Sequence, residues 1–532
     1  LRFRTPQRVR LTLSRVVPDI LERLAPILGR EYGAGFDPER YLPTSVPLND
    51  DIRRALSAQL PVIEHNPVIE FQLRRNVRFH DGHPFTAEDV KFTYEAIMEP
   101  KNLSPRTSDF EPIKSVEAVN PHLVRVTYKR LFSPAVNVWT MGILPAHLLS
   151  RDAIDAEAQA RGLSQEARAA FGIRDSQFNR APVGTGPFRF VEWQGDELIK
   201  LTRNEDYWDG PPQYRDYYFR VIPDPLTKEL EFRAGAIDTY QLQPFQVSRF
   251  EKSPRYRTLS GLGSGYTYIG YNNRLPLFAD ARVRRALGMA IDVDEIIRYV
   301  MYGEGERTTG PYPKQTDWYE QDIAPLPFDP EGALKIFEQL GWRKNADGWL
   351  EKDGKIFEFN LITNQGNPIR KSILSVVQNS WKGIGVKVNT ALFEWAVFLE
   401  DFINPGRFDA VILGWLMGID PDLYQIWHSS QSGRNQLNFV GYQNPAADRI
   451  IESLRREYDR GRQVTLAREL HRLIAADQPY TFLYAPVNTR ALDRKIVMLT
   501  PQGELVPPRA SAGGDVFFHF NRWRKLEAAP EF

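Results

Sequence analysis

Between Ile356 and Leu413 the apolar pattern switches repeatedly between two periods, and this switching constrains the fold more than any other feature of the chain. Residues 356–362 read as one arm of a hairpin around Asp353-Gly354, a strong turn dipeptide. Residues 368–382 then follow a helical period, 386–388 return to a strand, 395–403 to a helix, and 408–413 close with a buried apolar run. That is α/β order. At 532 residues, and with about 150 residues per domain, two to four domains are expected.

The apolar run ends in an aromatic-rich stretch, residues 414–428 (GWLMGIDPDLYQIWH), in which Trp415 and Trp427 bracket two aspartates. A loop of this kind leaving a buried strand is a place to hold a small polar solute. Asp420-Pro421 also reads as a helix start, with Asp420 as N-cap and Pro421 at the first helical position. Capping is the preferred role for Asp420; direct ligand contact is the alternative.

Elsewhere the pattern is that of a mixed chain. Residues 17–28 have helical spacing and stop at Gly29. Residues 68–79 read as two strands with a turn at Asp81-Gly82, and Thr86 caps a helix that ends at Pro100. Residues 115–128 form a hairpin turning at Asn120-Pro121, and an Ala-rich helical stretch runs from 144 to about 170. Residues 184–188 and 485–488 read as crossings between domains. Asp280, Asp292, Asp329 and Asn444 each precede a helical pattern.

Several chemistries are excluded or disfavoured. Lys+Arg 68 against Asp+Glu 67 leave a net charge of +1, so neither nucleic acid nor an anionic membrane is an expected partner. With Cys 0, thiolate catalysis, Cys-ligated zinc and disulfides are all excluded. The cluster His80-Asp81-Gly82-His83 sits on a turn with the wrong spacing for two ligands on one helix face, so a turn is preferred over a metal site. Residues 261–265 (GLGSG) lack the Gly that a nucleophile elbow requires two residues before Ser264. No run approaches the roughly 18 apolar residues of a membrane span, and no export signal is legible after Leu1-Arg2-Phe3-Arg4.

The stretches 71–94 (FQLRRNVRFHDGHPFTAEDVKFTY), 184–207 (GTGPFRFVEWQGDELIKLTRNEDY), 271–303, 381–399 and 414–479, the last including GYQNPAADRIIE, resemble in order the peptide/nickel family of extracellular solute-binding proteins, family 5. The resemblance implies a class II periplasmic binding protein fold of two hinged lobes with an extra small domain. It places domain I at 1–50, 185–278 and 487–532, domain II at 51–184, and domain III at 279–486. It further implies a periplasmic or cell-surface location, delivery of solute to an ABC transporter permease, no catalysis, no cofactor, and a monomer. In dipeptide-binding relatives an Asp holds the ligand ammonium and an Arg its carboxylate. This chain has Gly418 and Asn364 near those positions, so strict dipeptide specificity is not expected. The candidate ligand set comprises Glu394, Trp395, Trp415, Leu416, Met417, Gly418, Asp420, Trp427, Asn364, Asn438 and Tyr268. Oligopeptides held by main-chain hydrogen bonds are the leading expectation, with oligosaccharides stacked on Trp395, Trp415 and Trp427 as the alternative and a hydrolase as the outside rival.

Overall fold

The structure is a computed structural model that describes residues 66–418, 420–511, 515 and 517–531. The expected helix at 17–28 and the first segment of domain I lie outside the described residues. Strands β1 (Val68–Gln72), β2 (Ile113–Asn120) and β3 (Leu123–Tyr128) form an antiparallel sheet in the order β1-β3-β2. Helix α1 (Ala87–Met98) packs beside it. As its sequence promised, the first turn of α1 is closed locally, with the Thr86 N–H donating to Asp89 Oδ2 at 2.8 Å. The second expected strand near Val77 reduces to a bridge between Arg78 and Pro84.

The HDGH segment ties this part of the chain to the 184–188 crossing. The His80 N–H donates to the Gly184 carbonyl at 2.9 Å, and the Gly184 N–H donates to His80 Nδ1 at 3.2 Å. An accepting Nδ1 leaves the proton on Nε2, which stands 3.0 Å from the Gly186 carbonyl. Both ring nitrogens therefore serve the backbone.

Beyond the crossing, β4 (Phe188–Gln194), β5 (Leu198–Arg203) and β6 (Asp216–Arg220) make a second antiparallel sheet, followed by β7 (Thr239–Gln241) and β8 (Tyr256–Leu262). The next segment supplies β9 (Gly265–Tyr271), helix α2 (Ala281–Met289), β10 (Gly305–Arg307) and helix α3 (Pro330–Gln339). A small sheet of β11 (Arg343–Lys344), β12 (Leu350–Lys352) and β13 (Lys355–Ile356) turns at Asp353-Gly354 as expected. Then come β14 (Glu358–Asn364), helix α4 (Pro368–Gly383), β15 (Lys387–Phe393), β16 (Ala410–Leu416), helices α5 (Pro445–Leu454) and α6 (Arg460–Asp477), and β17 (Tyr480–Asp493). Strands β18 (Ile496–Leu499), β19 (Leu505–Val506) and β20 (Trp523–Lys525) form a terminal sheet.

The large sheet runs β10-β17-β9-β16-β14-β15, with β14 parallel to both β15 and β16. Its two faces follow from the strand period of two. In β16, Ala410 and Ile412 face a core shared with Trp381, Val377 and Ile373 of α4. Val411 and Leu413 face the opposite core, with Ile451 of α5 and Leu470 and Ile474 of α6.

Strand β17 belongs to two pairings in succession. Its first half pairs with β9 and β10, and its second half, from Val487 on, pairs with β8 and β7. Strand β9 joins the large sheet, and Gly263-Ser264 leads into it from β8. The expected crossing at 485–488 lies within β17, where its partner changes from β10 to β8.

Trp381 is fully buried and its Nε1 donates to the Leu287 carbonyl at 2.9 Å. Trp381→Ala is expected to destabilise the large-sheet unit by about 3–5 kcal/mol, seen as a lower urea midpoint in tryptophan-independent circular dichroism. An unchanged midpoint would show that this contact is dispensable.

Candidate functional site

The C-terminal ends of three neighbouring parallel strands meet at one edge of the large sheet. Asn364 ends β14 opposite Phe393 of β15, residues 394 and 395 follow directly, and β16 runs on past them to Leu416. Ligands in α/β sheets gather at this edge because loops diverge there. Beyond its pairing with β14 at Ala410 and Val411, β16 keeps β9 on one side as far as the Leu416 to Gly265 pair. Its other side, along residues 414–416, pairs with no strand among the described residues. The pairing to β9 is close: a Cβ at Gly265 would meet the Trp415 carbonyl oxygen at 2.2 Å.

The expected ligand residues divide into two groups. At the edge, Leu416 is 83% exposed and Trp395 48%, with Met417 half-buried and Gly418 exposed. Trp415 is half-buried, its Nε1 donating to the Tyr480 hydroxyl at 3.3 Å. The Glu394 carboxylate accepts from the Ala396 and Val397 N–H groups at 2.8 and 3.2 Å, so it caps the short helix behind Trp395. Asn364 Oδ1 accepts from Arg370 Nη1 at 2.8 Å.

The second group is buried. Trp427 is fully covered, packed on Tyr480 and Tyr442, and Tyr268 stacks on Tyr480 at 3.9 Å, equally covered. Asn438 donates to the His428 and Tyr442 carbonyls and accepts from the Tyr442 N–H. In this structure the two rings are packed in the core and the amide ties down a loop, because α5 and α6 cover this face of the sheet.

Asp420 departs from expectation as well. The helix after it is Tyr424–Trp427, with Leu423 as its N-cap. Asp420 Oδ1 instead accepts from the Asp422 N–H at 2.8 Å, which is an Asx turn, and its Oδ2 accepts from Asn137. Asn137 follows the β1-β3-β2 sheet in the chain, so the loop reaches across to that part of the molecule.

That contact is one of a row that sequence reading missed. Tyr458 Oη donates to the Phe132 carbonyl at 2.9 Å and accepts from the Phe132 N–H at 3.3 Å. The Ser133 N–H donates to the Arg455 carbonyl at 2.6 Å and Ser133 Oγ to the Leu454 carbonyl at 2.9 Å. Gln425 Nε2 donates to Asp109 Oδ1 at 2.5 Å. At the centre, the Arg455 guanidinium lies between Phe132 and Tyr424, 4.7 and 4.2 Å from their ring centres. Its Nε is 3.1 Å from Asp422 Oδ2. Burial pushes the Asp422 carboxyl up to about 6, with Asp420 and Asp109 adding to the shift and Arg455 opposing it. No local motif announces such contacts, whose partners lie hundreds of positions apart.

Comparison with known proteins places this geometry. The family model for "Bacterial extracellular solute-binding proteins, family 5 Middle" matches residues 62–436. The oligopeptide-binding protein AppA of Bacillus subtilis is 33% identical over 84% of this chain and 80% of its own length. The structure of AppA in complex with a nonapeptide superposes with a TM-score of 0.75 at 31% identity, covering 88% of this chain and 90% of that one. NikZ from Campylobacter jejuni, in complex with Ni(L-His), shares the fold at 24% identity and a TM-score of 0.74, over 87% and 89% of the two chains.

Two outcomes follow from the bridge. The Tyr458 bonds contribute about 0.5–1.5 kcal/mol each and the Asn137 bond to a carboxylate about 1.5–3 kcal/mol, so the double variant Asn137→Ala, Tyr458→Phe is expected to open the molecule and raise its radius of gyration in small-angle X-ray scattering. An identical scattering profile would deny the bridge any closing role. Asp422 has a folded-state pKa above its unfolded value, so its contribution to stability is complete below about pH 4 and is lost as pH rises through about 6. Urea unfolding between pH 4 and 7 is expected to lose this slope in Asp422→Asn, and a slope identical to that of the parent would refute the assignment.

Proposed function

We propose a transport role for this chain, which belongs to the bacterial extracellular solute-binding proteins, family 5. In this reading it is the substrate-binding component of an ABC importer. It captures oligopeptides between two lobes, closes by hinge motion, and hands its cargo to a membrane permease from the periplasm or cell surface. It acts as a monomer and performs no catalysis. Domain II is the 66–184 unit, domain III runs from β9 to the first half of β17, and the remaining described strands build domain I.

The observation that carries this reading is the open edge of β16. An extended peptide adds to such an edge as a further strand, held by main-chain hydrogen bonds that do not depend on its side chains. Residues 414–418 supply that backbone, while Trp395, Trp415 and Leu416 supply apolar surface around it. The AppA relative, itself bound to a nonapeptide, supports the same ligand class. Closure stabilises the complex only if the ligand touches both lobes, since a ligand indifferent to the two states shifts nothing. The 66–184 unit stands opposite the loop at Asp420 to complete such a site.

Native mass spectrometry of the purified protein is expected to show bound peptides of mixed sequence. Recovery of a single oligosaccharide class would replace the peptide reading, and turnover of added peptides, abolished by a substitution in the cleft, would replace the non-catalytic one.

A further inference from the structure

Asp422 sits where several parts of the chain converge. On its own loop, Asp420 Oδ1 accepts from the Asp422 N–H at 2.8 Å, and the Tyr424 N–H donates to Asp422 Oδ1 at 3.0 Å. At the end of α5, Arg455 Nε stands 3.1 Å from Asp422 Oδ2. From the short helix Thr107–Phe110, Asp109 reaches the same place, its Oδ1 accepting from Gln425 Nε2 at 2.5 Å. Arg106, just before that helix, is 3.4 Å from Asp109 Oδ2. Tyr312 donates its hydroxyl to the Pro421 carbonyl at 3.1 Å, and burial keeps it neutral by raising its pKa. His428 stacks on Tyr424 at 4.4 Å, with Asp448 and Glu452 beside its Nε2.

Among the described residues, the three carboxylates of Asp109, Asp420 and Asp422 thus share this place with two guanidiniums, those of Arg106 and Arg455. Little water reaches the centre, since the side chains of Asp422, Asp109 and Arg455 are 16%, 15% and 9% exposed. Carboxylates crowded in a shielded site ionise less readily than in water. Asp109 behaves like Asp422 in this respect: burial raises its pKa, with Arg106, Gln425 and Arg455 opposing. The crowding depends on two parts of the molecule meeting. In the reading above, Arg106, Asp109 and Phe132 belong to domain II, and Asp420, Asp422 and Arg455 to domain III. With the domains apart, Asp422 keeps Asp420 and Arg455 but loses Asp109, and water returns to its carboxylate. Both changes favour the ionised acid. Arg106 leaves as well, but its contact is with Asp109.

We infer that closure takes up a proton on this carboxylate cluster, so that the protein holds its ligand more tightly in acidic surroundings than in neutral ones. This rests on the two-lobe peptide reading and adds a condition to it: capture is coupled to the acidity outside the protein. The proton comes from water, settles on the carboxylates that Asp422 and Asp109 bring together, and returns to water on opening. A state that binds more protons gains population as pH falls, and a ligand that selects this state gains affinity with it. The pairing of Asp422 with Arg455 survives in both states, so the response belongs to the meeting of the two domains and not to either one alone.

The probe is a nonapeptide selected by retention on the unaltered protein from a randomised pool lacking Asp, Glu and His, whose own charge changes little between about pH 5 and 7. Its binding is measured by isothermal titration calorimetry across that range, in pairs of buffers with different ionisation heats. Affinity is expected to rise roughly tenfold from pH 7 to pH 5, with proton uptake approaching about one per peptide bound at the acidic end. Equal affinity throughout, without proton uptake, overturns the inference and leaves the peptide reading intact. Asp422→Asn is expected to bind at pH 7 about as tightly as the parent does at pH 5 and to lose most of the slope. A folded Asp422→Asn protein with the parent's full slope places the proton elsewhere and refutes the inference. Asp109→Asn relieves the same crowding from the other domain and is expected to flatten the profile too, so a folding defect in one variant does not decide the outcome. If no peptide of the pool is retained at any pH, the peptide reading falls. The radius of gyration of the protein alone then decides: it is expected to decrease from pH 7 to pH 5, and a constant radius overturns the inference.

Discussion

The ladder of hydrogen bonds along β17 is the interaction on which the rest of this structure depends. One continuous strand is a member of the large sheet through β9 and β10, and then of the neighbouring unit through β8 and β7. A backbone shared in this way transmits orientation, since rotating one unit against the other must be absorbed in a few residues around Pro486 and at the neighbouring link, Gly263-Ser264. The two connections lie side by side, with the Gly263 N–H donating to the Pro486 carbonyl at 2.8 Å. Side-by-side connections restrict relative movement to bending about their common line.

Between residues 132–137 and residues 420–458 the physics differs. The bridge from Phe132, Ser133 and Asn137 to residues 420–458 is made of separate polar contacts around one sandwiched guanidinium. Individually these contacts are weak in water, and they form together or not at all because each requires the same approach of the two units. The connection through β17 is covalent, whereas the bridge consists of separate non-covalent contacts. The Asp422 carboxyl, raised by burial and by Asp420 and Asp109, is opposed by Arg455.

Much of the fold was legible in local sequence. Asp280, Asp292, Asp329 and Asn444 all cap the helices they were expected to cap, because capping is decided within four residues. The Asp353-Gly354 turn and the α/β order of 356–413 were legible for the same reason. What failed was decided at long range. β17 runs unbroken through the expected crossing at 485–488 to Asp493, since its second half finds β8 more than two hundred residues earlier. Asp420 bears the Asp-Pro signature of a cap but spends its oxygens on a turn and on Asn137. Trp427 and Tyr268 carry the composition of a binding site and the burial of a core, and composition alone does not separate the two.

The open edge of β16 has a consequence for how this scaffold changes over generations. Its hydrogen-bonding groups belong to the main chain, so replacements at Leu416 or Met417 leave the donor and acceptor pattern untouched. Drift there changes the apolar surface of the edge without altering its main-chain hydrogen-bonding pattern. Gly265 across the ladder has no such latitude, because any side chain strikes the Trp415 carbonyl. Innovation is thereby channelled to one flank of the strand while the other is held constant.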